Sequence, residues 1–135
     1  MMKSAMAAVA LIAVVTPAFA AGPYDGSAAM KCQVKSVMSC NEGMICVQGT
    51  AATVMLPPVL VVDVPNKRIT GDASGRNVKI VSVGKGPERM VLHGEEAEMS
   101  GTGWNVVVDE KSGNLRGAVL TYSGGYLVFG SCAQQ

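Results

Sequence analysis

Short apolar runs separated by turn-forming residues dominate the chain after its first twenty residues. The segment 30–40 alternates, because its even positions are mostly apolar or cysteine and its odd positions are mostly polar. Alternation of this kind predicts a β-strand with one buried face. The residues expected on that buried face are Met30, Cys32, Val34, Met38 and Cys40.

The same criteria predict eight further strands, which are bounded by turn sequences rich in Gly, Pro, Asn and Ser. They cover residues 45–55, 59–64, 68–72, 77–83, 89–94, 104–109, 115–122 and 126–132. After the first twenty residues, no segment keeps a helical apolar period for ten residues, so we predict an all-β domain.

Two segments share one hairpin pattern. Residues 61–71 and 107–117 both begin with Val-Val-Asp, have an aliphatic residue six positions after the Asp, and have a Gly eight positions after it. We interpret each as an antiparallel hairpin in which the Asp ends the first strand. Repeated hairpins predict a meander, in which neighbouring strands follow each other along the chain.

Residues 1–20 have the features of a cleaved secretory signal peptide. Lys3 supplies a positive charge, residues 5–15 form a short apolar run, and Pro17-Ala18-Phe19-Ala20 ends in a small-x-small pattern. The apolar run is shorter than the approximately 20 residues that cross a bilayer. We therefore predict one exported domain at residues 21–135, without a membrane anchor, in the periplasm or the extracellular medium.

The charge of the predicted mature chain is balanced, because residues 21–135 contain ten basic and ten acidic side chains. This balance gives no electrostatic reason to expect nucleic acid or an anionic membrane as a partner. The acidic cluster of Glu95, Glu96 and Glu98 is interpreted as a solvated loop.

The four cysteines predict two disulfides in an exported domain of this size. If residues 30–40 form one strand, Cys32 and Cys40 lie about 26 Å apart at about 3.3 Å per residue. A disulfide needs α-carbons within about 7 Å, so this pair is excluded. If Cys40 faces Cys46 across a hairpin, Cys32 lies too far along the strand to reach Cys46. The predicted bridges are therefore Cys40–Cys46 and Cys32–Cys132.

A Cys32–Cys132 bridge requires the first and last strands to be neighbours. A meander whose end strands meet is a closed barrel, which removes the exposed sheet edges. We predict a small antiparallel barrel of about eight or nine strands, with a two-sheet sandwich as the alternative.

The sequence contains no recognisable catalytic, cofactor or metal motif. His93 is the only histidine, the Cys40–Cys46 spacing does not match a zinc or redox motif, and no nucleophile elbow or phosphate-binding glycine loop occurs. We therefore predict a protein that is not an enzyme, with no cofactor and no metal.

Four aromatic residues lie close together late in the chain. Trp104 and Phe129 are interpreted as filling or capping the barrel core. Two tyrosines flank a glycine turn that is a candidate tip for binding a protein partner. This candidate site comprises Tyr122, Ser123, Gly124, Gly125 and Tyr126.

Two family resemblances accompany this organisation. The signal peptide, small barrel and disulfide resemble the periplasmic inhibitors of c-type lysozyme, whose Ser-Gly-x-x-Tyr loop is one residue longer than Ser123-Gly124-Gly125-Tyr126. The barrel plan is also similar to lipocalins, whose Gly-x-Trp motif is on the first strand, whereas here Gly103 directly precedes Trp104 late in the chain. No residue role is transferred from either family.

These features lead to three functional hypotheses. The first is recognition of a protein partner in the cell envelope or outside the cell, in the manner of a periplasmic inhibitor. The second is a carrier of a small apolar ligand held inside the barrel, as in lipocalins. The third is a structural component of the envelope.

Overall fold

The structure is a computed structural model that describes residues 22–72, 75–96 and 101–135. The predicted signal peptide at residues 1–20 lies outside the described residues. Within the described ranges, nine strands follow one another, with one short 3-10 helix at Ala51–Val54 between the second and third. The strands are β1 (Met30–Asn41), β2 (Cys46–Gly49), β3 (Val59–Asp63), β4 (Arg68–Gly71), β5 (Asn77–Gly86), β6 (Arg89–Glu95), β7 (Gly103–Asp109), β8 (Asn114–Thr121) and β9 (Gly124–Gln134).

Antiparallel pairing closes eight of these strands into a barrel. From β3 to β9 each strand pairs with the next, β9 pairs with β1, and β1 pairs with β3. The ninth strand, β2, lies beside the second half of β1 and forms an additional hairpin. The predicted all-β barrel is therefore confirmed, and the sandwich alternative does not apply.

A β-bulge in β1 corrects the predicted alternation of that strand. The register against β9 shifts between Val34 and Ser36, so the extra residue Lys35 exchanges the two faces. Before the bulge, Met30 and Cys32 point into the barrel, as predicted. After it, Val37 is the buried residue, whereas Met38 and Cys40 lie on the opposite face from Val37.

The second predicted strand, at residues 45–55, is shorter than expected. It ends at Gly49 and the chain turns into the 3-10 helix, where the Thr53 hydroxyl accepts a hydrogen bond from the Thr50 amide at 3.0 Å. The Thr53 side chain occupies the space that a side chain at position 49 would need. Glycine at this position therefore permits the helix to fold back against the strand.

Both hairpins with the shared Val-Val-Asp pattern form as predicted. The Asp63 carboxylate accepts a hydrogen bond from the Asn66 amide at 3.2 Å. The Asp109 carboxylate accepts hydrogen bonds from the Lys111 and Ser112 amides at 3.0 and 2.7 Å. The bonds from Ser112, and to a lesser extent the one from Lys111, stabilise the charged form of the Asp109 carboxyl and lower its pKa.

One end of the barrel is filled and covered, and we call it the closed end. It contains the turns that follow β3, β5 and β7, together with residues 22–29, which pack across it. The Tyr24 amide donates to the Glu110 carbonyl at 3.0 Å, and Gly26 is buried against Met90 and Val64. Buried apolar side chains fill the adjoining interior, including Met30, Val62, Ile80, Met90, Leu92 and Val108.

Two disulfides link strands that are also paired by hydrogen bonds. Cys32–Cys132 joins β1 to β9 inside the barrel, and Cys40–Cys46 joins β1 to β2. These are the two pairs that strand geometry selects. Stable disulfides indicate an oxidising, extracellular type of environment. Among the described residues, no helix is long and apolar enough to cross a membrane.

The two bridges should contribute unequally to stability. Cys32–Cys132 spans 100 residues and Cys40–Cys46 spans 6. Chain-entropy arguments give about 4.7 kcal/mol for the longer loop and about 2–2.5 kcal/mol for the shorter one. We expect the double variant Cys32→Ala/Cys132→Ala to lose about twice as much free energy of unfolding as Cys40→Ala/Cys46→Ala. Urea titration of the oxidised proteins measures both, and equal losses would contradict a closure role for the longer bridge.

Candidate functional site

The opposite end of the barrel, which we call the open end, holds a cavity of about 70 Å³. It lies between the 3-10 helix region, the β4–β5 connection and the start of β9. Its walls are mainly aliphatic side chains from six strands of the barrel. They include Leu60, Ile69, Val78, Val106, Val119 and Val128.

A glycine in β8 creates part of this space. Gly117 lies opposite Val106 of β7 and Val128 of β9, and all three line the cavity. A methyl group built on Gly117 would lie 3.5 Å from each valine, which is an ordinary van der Waals contact. Because Gly117 has no side chain, space is left between Val106 and Val128 on the inner face of the barrel.

Trp104 is the most unusual group in the cavity wall. Its side chain is only 7% exposed, and its indole N–H has no hydrogen-bond acceptor among the described residues. The ring lies against Gly94, its register partner on β6. A buried indole N–H usually has a partner, and leaving a buried donor unpaired costs about 1–3 kcal/mol. The wall thus contains a desolvated donor that protein atoms leave unpaired in the described part of the chain.

A charged cluster connects three elements around the mouth of the cavity. Arg76 lies just before β5, Glu96 follows β6, and Met55 follows the 3-10 helix. The Arg76 guanidinium donates to the Met55 carbonyl at 2.9 Å and forms an ion pair with the Glu96 carboxylate. The interpretation of Glu96 as part of a solvated loop was wrong, because its side chain is only 14% exposed. Glu98 lies outside the described residues.

Tyr126 lies beside this charged cluster and also lines the cavity. Burial raises the pKa of its hydroxyl, and the nearby Glu96 carboxylate raises it further, while Arg76 acts in the opposite direction. The phenol is therefore neutral at physiological pH and can donate or accept a hydrogen bond.

The structure separates the two tyrosines of the predicted tip. Tyr122 is 91% exposed in the β8–β9 turn, beside the exposed Ser123. Gly124 and Gly125 begin β9, and Gly124 packs against the Cys40 carbonyl so closely that it leaves no room for a side chain. Tyr126 follows them on the inner face of the strand. Of the two tyrosines, therefore, only Tyr122 is fully presented to solvent at the turn.

An apolar surface also covers part of the outer face of β8 and β9. Leu120 is 67% exposed, Leu127 is 47% exposed and Phe129 is 42% exposed. The side chain of Phe129 thus lies outside the barrel, in contrast to its interpretation as a core residue. We call Leu120, Leu127, Phe129 and Tyr122 the outer patch.

Sequence reasoning allowed for a ligand inside the barrel, but it located neither the cavity nor the charged cluster. Trp104 was expected to fill or cap the core, and it does line the interior, but the sequence did not place the cavity beside it. The available signal was Gly117, a glycine at an inward position of a strand whose other inward residues are Leu115 and Val119. The Arg76–Glu96 pair joins residues far apart in the chain, so the sequence pattern held no signal for it.

Other candidate chemistry is sparse. His93 forms a hydrogen bond with Asn105 on the exposed face of the β6–β7 pair. In the ranges 22–72, 75–96 and 101–135, no group of three His, Cys, Asp or Glu side chains could hold a metal ion.

No known family model matches the chain, and no curated protein matches it.

Replacement of Gly94 tests the packing of Trp104. A side chain at Gly94 would overlap the indole ring and the Lys79 carbonyl, so we expect Gly94→Ala to destabilise the fold by about 1–3 kcal/mol and to shift the fluorescence of the sole tryptophan. Gly103→Ala is a matched control, since no described atom lies within 4 Å of its added methyl group. Its stability should change by about 0.5 kcal/mol or less in the same denaturant titration. Equal effects of the two variants would disprove this packing.

Proposed function

We propose that this protein is an exported, non-enzymatic binding protein that holds a small apolar molecule in the open end of its barrel. The observation that supports this proposal is the apolar cavity that reaches the buried Trp104. Ligand sites in proteins are typically concave and mostly apolar, with a few polar groups that set orientation. The proposal corresponds to the second of the three sequence-based hypotheses, and its export to the periplasm or the medium rests on the predicted signal peptide.

The contrast between the two ends of the barrel favours this function. Protein interiors are normally packed to the density of organic crystals. The closed end has this character, with Met90, Leu92 and Val108 completely buried. The open end instead combines Gly117 with a cavity and an unpaired donor. Such a combination lowers stability, and a binding role explains why it is present.

The arrangement of charges favours binding without catalysis. The ionic side chains in the cavity lining are Arg76 and Glu96, which pair with each other at the mouth. General acid–base chemistry needs a titrating group close to a reacting atom. Apart from Asn105 and the Tyr126 hydroxyl, the side chains that line the cavity below the mouth are aliphatic or aromatic, so they suit an unreactive apolar ligand.

Blocking the cavity should abolish ligand binding. We expect Gly117→Leu to project a side chain into the space now lined by Val106 and Val128, and to abolish binding of neutral hydrocarbons from benzene to naphthalene in size. Fluorescence of Trp104 during titration measures binding, and thermal unfolding confirms folding. Ala118→Leu is the matched control, because Ala118 is the next residue and lies on the opposite face of the strand, beside Leu127. Binding that survives Gly117→Leu would place the ligand elsewhere.

Native mass spectrometry of the protein purified from its own cell envelope provides a second test. A bound species should be present in the wild type and absent from Gly117→Leu. If neither the envelope-derived ligand nor any hydrocarbon of the panel binds the wild-type protein, the proposal is wrong.

A second candidate function is recognition of a protein partner through the outer patch. The supporting observation is the exposure of Tyr122 together with Leu120 and Phe129 on the outer face. Exposed apolar surfaces that are continuous are typical of interaction sites. Unlike the predicted tip, this surface does not include Tyr126.

Separate replacement of the two tyrosines tests this second candidate. Tyr122→Ala should change the free energy of unfolding by about 0.5 kcal/mol or less, because the side chain is exposed, but should weaken partner capture from envelope extract. A tyrosine anchor at an interface can contribute about 2 kcal/mol. Tyr126→Ala should destabilise the fold by about 2 kcal/mol, because it removes a half-buried ring. Unchanged capture by Tyr122→Ala would exclude the outer patch as the site.

A further inference from the structure

We infer that this protein forms a weak symmetric dimer, in which β2 of one copy pairs antiparallel with β2 of a second copy. The surface concerned is the free edge of β2, at Cys46–Gly49. Among the described strands, β2 pairs with β1 alone, so no strand lies along its other edge. An unpaired edge offers a row of backbone N–H and C=O groups to another strand. The inference is independent of the ligand, since no residue of β2 lines the cavity.

The hydrogen bonds of the β1–β2 hairpin define which backbone groups point to the free edge. The Ile45 carbonyl accepts from the Asn41 amide at 3.1 Å, so the backbone of Ile45 faces β1. These groups alternate in direction along a strand, so those of Cys46 and Gln48 point away from β1. The α-carbons of Cys40 and Cys46 are 4.1 Å apart, the close spacing of a pair that exchanges no hydrogen bonds. In the described ranges, no backbone group bonds to Cys46 or Gln48 across the edge.

The residues of β2 leave this edge unprotected. Edge strands in natural proteins are usually blunted by charged side chains, by proline or by a bulge. Residues 45–49 contain no charge and no proline, and they pair with β1 in a regular register. Ile45 and Val47 are also 63% and 56% exposed. The other free edge, at residues 81–86 of β5, follows a bulge and contains Lys85. The edge of β2 is therefore the one suited to accept a strand.

Self-pairing of β2 has one register that uses all the free groups. With the twofold axis at Val47, Cys46 of each copy lies opposite Gln48 of the other, and each of these pairs exchanges two hydrogen bonds. An axis at Cys46 or at Gln48 would form only one such pair. The groups next in line are the Met44 and Thr50 amides, and both are already bonded within the chain, to the Asn41 carbonyl and the Thr53 hydroxyl.

The side chains of β2 suit the same register. Ile45, Val47 and Gly49 lie on one face of the strand, because successive side chains alternate. With the axis at Val47, the two valines lie opposite each other, and each Ile45 lies opposite Gly49 of the other copy. The Thr53 side chain already fills the place of a Cβ at Gly49, so it provides the surface that Ile45 contacts. The pairing thus covers the exposed apolar side chains of both copies, which favours a second copy as the partner.

The association of the wild-type protein provides the first test. Sedimentation velocity of the oxidised protein between about 10 µM and 1 mM should show a reversible monomer–dimer equilibrium, since interfaces this small are typical of transient complexes. In ¹⁵N-labelled protein, the amide signals of Cys46 and Gln48 should shift over the same concentration range. Those of Leu127 and Phe129 in the outer patch should not shift. This measurement needs no variant.

Exchange of charge at Val47 tests the twofold register. Val47→Lys alone and Val47→Glu alone should each weaken dimerisation about tenfold or more, because like charges would lie directly opposite each other. An equimolar mixture of the two variants should restore association, because opposite charges then meet across the axis. Val81→Lys is the matched control, since Val81 is 62% exposed but lies in β5. Its dimerisation should be unchanged, and thermal unfolding checks that all three variants fold.

The remaining outcomes contradict the inference. If the wild-type protein stays monomeric up to about 1 mM, the weakest affinity expected of a specific contact, β2 does not pair with itself. If the outer patch shifts with concentration and β2 does not, the copies associate through another surface. If the mixture associates no better than the separate variants, Val47 does not lie on the axis. If the purified protein is monomeric and the β2 amides respond only to another protein from the envelope, the partner is not a second copy.

Discussion

The pairing of β1 with β9 is the constraint on which the rest of the structure depends. The two strands pair from Met30 with Gln134 to Asn41 with Gly124, and Cys32–Cys132 joins them covalently inside the barrel. Without this ladder the meander would be an open sheet with two long edges. With it, the unpaired edges are short: those of the four-residue β2 and of residues 81–86 of β5, which extend beyond the pairing with β4. Closure therefore creates an interior. Buried apolar side chains fill this interior at the closed end, whereas a cavity remains at the open end.

The bulge at Lys35 determines which side chains share this interior. A strict period of two would have placed Met38 and Cys40 inside, beside Cys32. The extra residue instead points Val37 inward next to Val128, and it leaves Cys40 free to bridge to Cys46 at the start of β2. One irregularity thus allows the same strand to contribute to the barrel core and to carry a hairpin outside it.

Local patterns predicted the strands well and the cavity poorly. Alternation, turn residues and the repeated Val-Val-Asp hairpins located all nine strands, since these signals act between residues close in sequence. The bulge was missed because it satisfies tertiary packing and has no distinct local signature. Tyr122 lies in the turn and Tyr126 lies on the inner face of β9. Which residues of β9 point inward depends on where the turn ends, and the sequence does not define that position. The cavity depends on Gly117, Trp104 and Arg76, which come together only after the barrel closes.

Under the proposed function, one end of the barrel would supply stability and the other would bind the ligand. At the closed end, buried side chains such as Met90 and Leu92, the Cys32–Cys132 bridge and residues 22–29 supply dense packing. That packing can offset the loss from an unfilled volume and an unpaired indole at the open end, each of which costs on the order of 1 kcal/mol or more. Replacing Gly117 by a larger apolar residue would fill the volume at the expense of the site. A sequence optimised for stability alone would have no reason to retain glycine there, so the position of this glycine is itself an argument that the cavity has a function.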